Sequence, residues 1–187
     1  LLAPGLERAL LFPALGLLVS GGHTHLYRMD SHIEFTRLGR TLDDAAGEAL
    51  DKSARLMGLP YPGGRLVDAL ARVGETDTQL FPRPYLDNQN LDFSFSGLKT
   101  AVAQLMRSQP HLEEAGRNLC GLKLSDNDLS RHVAEDPVLR ELADVCASLN
   151  HSVADTLRVK TQRALKSGAA GRDVRAAFPV TIRDLAV

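Results

Sequence analysis

The stretch ALGLLVSGGHTH, residues 14–25, decides how the rest of the chain is read. Leu15, Leu17, Leu18 and Val19 make an apolar run that Ser20, Gly21 and Gly22 break, and Thr24-His25-Leu26-Tyr27-Arg28-Met29 then alternates polar with apolar. A run, a break and an alternation read as strand, tight turn, strand. Two adjacent glycines suit a two-residue hairpin whose central residues both take positive φ. They also remove both Cβ atoms, so a ligand can approach the main chain, and successive turn N–H groups form a concavity that favours anions. From these residues alone two readings stay open, a plain hairpin and a turn that cradles a phosphate.

Working outward, Leu1 to Leu11 is expected to form a short helix with Pro4 near its start. On the other side, Ile33-Glu34-Phe35-Thr36-Arg37-Leu38 alternates with period two after the turn residues Asp30-Ser31-His32. Three antiparallel strands are therefore expected to open the domain. The period then changes. TLDDAAGEALDKSARLM, residues 41–57, predicts an amphipathic helix with Leu42, Ala45, Ala46, Ala49, Leu50, Ala54 and Met57 on its apolar face. Thr41 and Asp44 resemble a capping box, and Asp43 and Asp44 suit the positive end of the helix dipole. Asp44, Glu48, Asp51 and Arg55 share the opposite stripe. That stripe is either a solvated face balanced by Lys52 and Arg55 or a set of carboxylates that meets a cation or a ligand hydroxyl.

Gly58 is placed to end this helix, and 59–64 is a turn-rich connector. Leu66 to Val73 predicts a second helix with Leu66, Val67 and Leu70 inward and Gly74 as its stop. Its start lies beside Gly63-Gly64, so free helix N–H groups there face possible polar ligand atoms. Asp68 in the first turn either accepts a hydroxyl or complements the dipole. Pro82 to Tyr85 reads as an extended loop, Phe93 to Ser96 as a short strand, and Leu98 to Arg107 as a helix with Leu98, Ala101, Val102 and Leu105 inward. Residues 111–135, polar and punctuated by Gly116 and Gly121, read as an insertion or mobile loop. Asp136 then caps, Pro137 occupies the first helical position, and Val138, Leu142, Val145, Leu149, Val153 and Leu157 carry one long helix to about Lys166, stopped at Gly168. Its last turns hold Arg158, Lys160, Arg163 and Lys166, which suit the dipole and point only weakly to an RNA site. Thr181 to Val187 resembles the start of a buried strand.

The 187 residues suit one domain, and 44% apolar residues suffice for a core. Lys and Arg number 22 against 23 Asp and Glu, a net charge of -1, so any nucleic-acid contact must be a local patch. Cys120 and Cys146 form no CxxC, which fits a reducing compartment and gives no structural zinc motif. No apolar run approaches the roughly 20 residues of a membrane span, and Glu7 and Arg8 interrupt the first stretch where a signal peptide would be apolar. A soluble, cytoplasmic protein is expected. The chain begins without Met and stops on Leu185-Ala186-Val187 in mid-strand, which reads as a piece of a longer protein. His23 and His25 share a strand face but lack a third ligand at a telling distance, so structural or substrate-contact roles rank above metal binding. HExxH, P-loop and GxSxG motifs are not found in the sequence.

LLVSGGHTH at 17–25, TLDDAAGEALDKSARLMGLPYPGG at 41–64 and FPRPYLDNQNLDFSFSGLKTAV at 81–102 resemble the universal tRNA threonylcarbamoyladenosine transferase family (TsaD), formerly called O-sialoglycoprotein endopeptidase or glycoprotease. LADVCASLNHSVADTLRVKTQRAL at 142–165 is similar to that family's following long helix. Order and spacing match over most of the chain, and 111–135 departs as an apparent insertion.

The resemblance implies an α/β, actin/Hsp70/hexokinase-like (RNase H-like) fold whose mixed sheet opens with three antiparallel strands followed by helices. Residues 1–187 would be a single partial domain, most of one lobe of a two-lobe ATPase-like fold. It also implies transfer of a threonylcarbamoyl group from L-threonylcarbamoyl-adenylate to the N6 amine of the tRNA adenosine 3′ to the anticodon. The substrate-binding positions it implies are Leu18, Val19, Ser20, Gly21, Gly22, Asp51, Gly64 and Asp68, with Asp51 suited to ribose hydroxyls. No catalytic residue is assigned. The family's divalent metal, iron or zinc, is held by an HxxxH motif before the Leu1-Leu2-Ala3-Pro4-like segment and by an aspartate beyond a glycine-rich segment that also supplies an adenosine-contacting Asn. None of these lies in this sequence, so no metal ligand is expected here and no transfer by this stretch alone. The implied partners are tRNA, the adenylate and accessory subunits, a non-catalytic paralogue and an ATPase, with no membrane. Two alternatives come from other classes: a metallopeptidase, for which no motif is present, and a scaffold paralogue, against which both Gly-Gly turns and Asp51 argue.

Overall fold

Strands form where the sequence alternates. In the computed structural model, which describes residues 12–120, 122 and 126–168, β1 (Ala14–Val19), β2 (Thr24–Met29) and β3 (Phe35–Arg40) make an antiparallel sheet in that order. The register runs from Ala14 opposite Met29 to Val19 opposite Thr24, and from Met29 opposite Phe35 to His25 opposite Arg40. β3 begins two residues later than the alternation suggests. Ser31 Oγ accepts from the amides of Ile33 at 3.3 Å and Glu34 at 3.1 Å, so both residues complete the turn and Ile33 is left 85% exposed. The expectations for Leu1–Leu11 and Thr181–Val187 lie outside the described residues.

The helix expected at 41–57 is α1 (Ala46–Leu56), shorter at its start. Thr41 is not its cap: its hydroxyl donates to the Asp44 carbonyl at 2.6 Å, and Glu48 reaches back to accept from Ala45 N at 3.3 Å. Leu42 therefore precedes the helix and is 49% exposed, while Ala45, Ala46, Ala49, Leu50, Ala54 and Met57 are buried as the stripe requires. Asp43 caps a different element. Its carboxylate accepts from Phe95 N at 2.8 Å and from the hydroxyls of Ser94 at 2.5 Å and Ser96 at 2.9 Å, at the start of the next helix but one. Burial pushes its pKa up, the hydrogen bonds from Ser94, Phe95 and Ser96 outweigh that, and the result lies below the usual carboxylate value. Gly58, at φ +75°, ends α1 as expected.

Three of the remaining helices follow the expected apolar periods, two of them at shifted boundaries. α2 runs Gly64–Ala71, and α3 runs Ser96–Ser108 and takes Gly97 inside its first turn. Phe93 and Phe95 do not lie in a strand; Phe93 makes an isolated parallel bridge to Thr41, and both rings are fully buried. Residues 111–135 are not a loop. They hold most of α4 (Pro110–Cys120) and α5 (Asp126–Glu135), which bury Leu112, Ala115, Leu119, Leu129 and Val133. The last helix, α6 (Pro137–Lys166), follows the sequence closely: Asp136 accepts from Val138 N at 2.8 Å and Leu139 N at 3.3 Å, and Gly168 takes φ +70°.

The core forms where α2, α4 and α5 pack on α6 and α1 packs on α3. Val67, Leu70, Leu98, Val102, Leu112, Leu142 and Leu149 are essentially fully buried there, each contributing about 1.5–3 kcal/mol. Leu26 and the half-buried Leu15, Leu17 and Val19 attach the inner face of the sheet to this core. No helix among the described residues is long and apolar enough to cross a membrane.

Candidate functional site

The connection between β1 and β2 has four residues, Ser20 to His23, because Val19 and Thr24 are the last paired positions. Neither Gly21 nor Gly22 takes positive φ, which corrects the two-residue reading. Ser20 closes the turn instead. Its Oγ accepts from Gly22 N at 3.3 Å and His23 N at 3.0 Å, and its own N–H donates to the His23 carbonyl at 2.8 Å. A Cβ added at Gly21 or Gly22 would meet nothing within 4 Å, so the outer side of the turn is open. Its inner side is not. A Cβ on Gly47 would lie 2.9 Å from Gly21 N, Gly21 Cα and the Ser20 carbonyl carbon, and Gly47 N donates to Ser20 O at 3.2 Å. Ala46 N donates to the buried Thr24 hydroxyl at 2.9 Å. The first turn of α1 thus sets its amides against the back of the glycine turn, where the dipole is positive. The close approach that requires a glycine is at Gly47. The signal was a glycine inside a helix otherwise made of good formers, at a cost of about 1 kcal/mol relative to Ala.

One helical turn beyond Gly47, Asp51 Oδ1 accepts from Gly63 N at 2.9 Å and Gly64 N at 2.8 Å. Those amides, expected to be free for a ligand, are taken by a side chain, and Asp51 fixes the start of α2 on α1. Its Oδ2 has no hydrogen-bond partner among the described residues. Asp68, four residues after Gly64 on α2, pairs with Arg72. Asp44 and Glu48 leave the stripe in another direction, to Lys52 Nζ at 2.6 and 2.9 Å. Those hydrogen bonds, Asp44 first, raise the Lys52 pKa, and that from Lys52 is the first cause of a lowered Glu48 pKa. The structure therefore joins Ser20 and Gly21 to α1 and Asp51 to Gly64, with Leu18 and Val19 on the strand that leads into the turn.

The basic end of α6 is largely consumed. Lys160 is fully buried, and its Nζ donates to Asn88 Oδ1 at 2.8 Å, Asn90 O at 2.9 Å and Asn90 Oδ1 at 3.2 Å, 5.0 Å from the centre of the Tyr85 ring. Arg163 donates to the carbonyls of Leu86 at 3.0 Å and Asn90 at 3.1 Å and to that of Asn88. Arg158 pairs with Asp155 at 2.5 Å. Lys160 and Arg163 thus pin the loop that precedes α3, while Arg158 is paired within α6.

His23 and His25 do share a face, with ring centres 5.4 Å apart, and His25 Nδ1 lies 2.9 Å from the Tyr27 hydroxyl. Burial, then His23, Arg37 and Arg40, lower the His25 pKa. No group of three or more His, Cys, Asp or Glu side chains among the described residues is arranged to hold a metal ion. Cys120 and Cys146 are free thiols, the second buried and pushed up by that burial.

A family model described as tRNA N6-adenosine threonylcarbamoyltransferase (TsaD) matches residues 1–178. A protein of that name from Nitratidesulfovibrio vulgaris strain DP4 is 55% identical over 177 residues, covering 94% of this chain and 46% of its own length. One from Maridesulfovibrio salexigens is 52% identical over 167 residues, covering 89% and 44%, and one from Lawsonia intracellularis 49% identical over 166 residues, covering 89% and 44%. The chain spans about half the length of the curated relatives it matches.

Proposed function

The chain belongs to the tRNA N6-adenosine threonylcarbamoyltransferase family, and from that premise we propose that the protein containing it transfers a threonylcarbamoyl group from L-threonylcarbamoyl-adenylate to the N6 amine of the tRNA adenosine 3′ to the anticodon. The family has an actin/Hsp70/hexokinase-type fold, to which a three-stranded antiparallel sheet followed by helices conforms. In the transfer, the amine nitrogen bonds to the carbamoyl carbon, the bond from that carbon to the phosphate oxygen breaks, AMP leaves with the electron pair, and the amine gives up a proton.

The observation that carries the reading is the open outer side of the Gly21-Gly22 turn, backed by the first amides of α1. A phosphate there meets no Cβ and sits near the positive end of a helix, an arrangement suited to charge that grows on the leaving phosphate. Leu18 and Val19 hold the strand end that aims the turn. Asp51 uses Oδ1 to fix Gly63 and Gly64 and offers Oδ2 to a ribose hydroxyl, with Gly64 and Asp68 along the same side. The divalent metal of the proposal, iron or zinc, finds no ligand set among the described residues. When bound, it would polarise the donor's carbamate. Cytoplasmic action with a non-catalytic paralogue and an ATPase as accessory subunits completes the proposal.

The test uses the full-length protein with synthetic donor, metal, accessory subunits and an unmodified tRNA, read by mass spectrometry of the digested nucleosides. One threonylcarbamoyladenosine per tRNA is the expected product. Donor consumed without modified adenosine, or cleavage of a glycoprotein in its place, would contradict the assignment.

A further inference from the structure

The outer face of the sheet has a use that the donor site leaves unassigned. Thr24 and Leu26 point to the core, so His25, Tyr27 and Met29 point away from it, with Leu18, Gly16 and Ala14 opposite them on β1. On β3, Arg40 stands opposite His25, Gly39 opposite Leu26, and Arg37 opposite Tyr27, so Leu38 is an extra residue. In a regular strand Arg37 and Arg40, three apart, would lie on opposite faces. The bulge at Leu38 puts both beside the His25-Tyr27 row, and both lie close enough to His25 to lower its pKa. Phe35, opposite Met29 on the same face, is 42% exposed.

The ring of His25 meets His23 at 5.4 Å and Tyr27 at 5.7 Å, both edge to face. Neither guanidinium has a carboxylate partner among the described residues. Asp92, which contacts β3, accepts from the Arg40 backbone N–H at 3.0 Å. The face therefore combines aromatic and imidazole rings with two unpaired guanidinium groups, and none of its described residues is acidic. Its first rung, Leu18 opposite His25, is one pair away from the glycine turn.

We propose that this face of the sheet, through His25, Tyr27, Arg37 and Arg40, is an RNA-binding surface that stacks an unpaired base on its rings and holds the flanking phosphates with the two arginines. The inference rests on the functional reading above, which requires an RNA acceptor beside the donor. Exposed sheet faces with rings and cations bind single-stranded loops this way, because every base has a stacking face and every linkage a charge. An acidic protein surface would satisfy the arginines but would leave the ring row without a purpose.

The experiment measures binding of a fluorescent anticodon stem-loop RNA to the full-length protein across a salt series, alongside calorimetry with a non-hydrolysable adenylate analogue. Arg37→Gln with Arg40→Gln, both at exposed positions, is expected to weaken RNA binding and to reduce the slope of log affinity against log salt by about 1.5, near 0.7–0.9 for each phosphate that is no longer neutralised. Tyr27→Ala is expected to cost roughly five- to hundredfold with the slope unchanged, and Tyr27→Phe to restore the binding. Analogue affinity should stay at the wild-type value in all three. Wild-type RNA affinity and slope in the arginine variant, with the wild-type protein still modifying tRNA, would overturn this surface and leave the functional reading standing. Loss of a co-purifying protein with RNA binding intact would also overturn it. A wild-type protein that binds no RNA would overturn both.

Discussion

Two short loops in this molecule are pinned by helices, and they are pinned in opposite ways. The Ser20–His23 turn is held from behind by backbone amides of α1 and a bare Gly47, and its outer side stays open. The loop through Leu86, Asn88 and Asn90 is held by the Lys160 ammonium and the Arg163 guanidinium, which its carbonyls and amide oxygens surround. In the sequence both resemble ligand sites, a glycine pair for phosphate and a cationic helix end for RNA. Only the first keeps a side open to a ligand. A cation already satisfied by three or more protein oxygens has little left to offer a phosphate.

The comparison breaks most severely at Gly47. Gly47→Val would drive a branched side chain into the Ser20-Gly21 backbone, and overpacking of this kind costs about 3 kcal/mol. The denaturation midpoint of the full-length protein should fall accordingly, with donor binding lost alongside as α1 is pushed from the turn. Unchanged stability would mean that the helix does not pack there.

Lys160→Met attacks the closed loop, removing the hydrogen bonds of a charged donor to the Asn88 and Asn90 oxygens at a cost of about 1.5–3 kcal/mol. RNA binding should be unaffected at low salt, since this lysine is consumed by the fold. The same residue gives a pH signature. Burial, then repulsion from Arg163, push its pKa down to about 8 against the attraction of Asp92 and Asp87, below the ordinary 10.5. Between those values the unfolded chain holds the proton and the folded chain does not, so stability rises with pH across that window. Below about 8 both states carry the proton, and this contribution levels off at its lowest. Inside the window the slope approaches about 1.4 kcal/mol per pH unit. Unfolding titrations of wild type and Lys160→Met should differ by this slope; parallel curves would deny the depressed value.

Asp51→Ala tests the junction between the two regions' logic, since this carboxylate both pins and is proposed to bind. Loss of hydrogen bonds to a charged group costs about 1.5–3 kcal/mol. Both stability and donor affinity should fall, whereas a purely solvated carboxylate would move neither. Thermal melts and calorimetry on the same preparation separate the two contributions.

Most of what is legible in the sequence is local. Asp136, Pro137 and Gly168 bound α6 because capping and stopping act within a few residues, and the apolar stripe of α1 declares its buried face residue by residue. The departures are long-range. Local pattern puts Asp43 in the first turn of α1, but its partners are Ser94, Phe95 and Ser96, more than fifty residues on. Asp51 sits on a stripe that reads equally well as solvated until Gly63 and Gly64 fold back onto it. Lys160 finds its partners about seventy residues upstream. Residues 111–135 hide two helices because their apolar positions, Leu112, Ala115 and Leu119 and then Leu129 and Val133, are sparse among charges and acquire meaning only against α6. In the turn, a serine hydroxyl replaces the positive φ that two glycines suggest.

The smallest expected structural effect is also the sharpest test of the open turn as the donor site. Gly22→Ala adds a methyl group where nothing lies within 4 Å and where φ is not positive, so stability should stay within about 0.5 kcal/mol of wild type. The same methyl would occupy the space proposed for the donor phosphate. Calorimetry of a non-hydrolysable threonylcarbamoyl-adenylate analogue with the full-length Gly22→Ala protein should show affinity reduced tenfold or more, a loss of about 1.4 kcal/mol, at an unchanged melting temperature. Wild-type affinity at that same melting temperature would contradict the assignment of the turn to the donor.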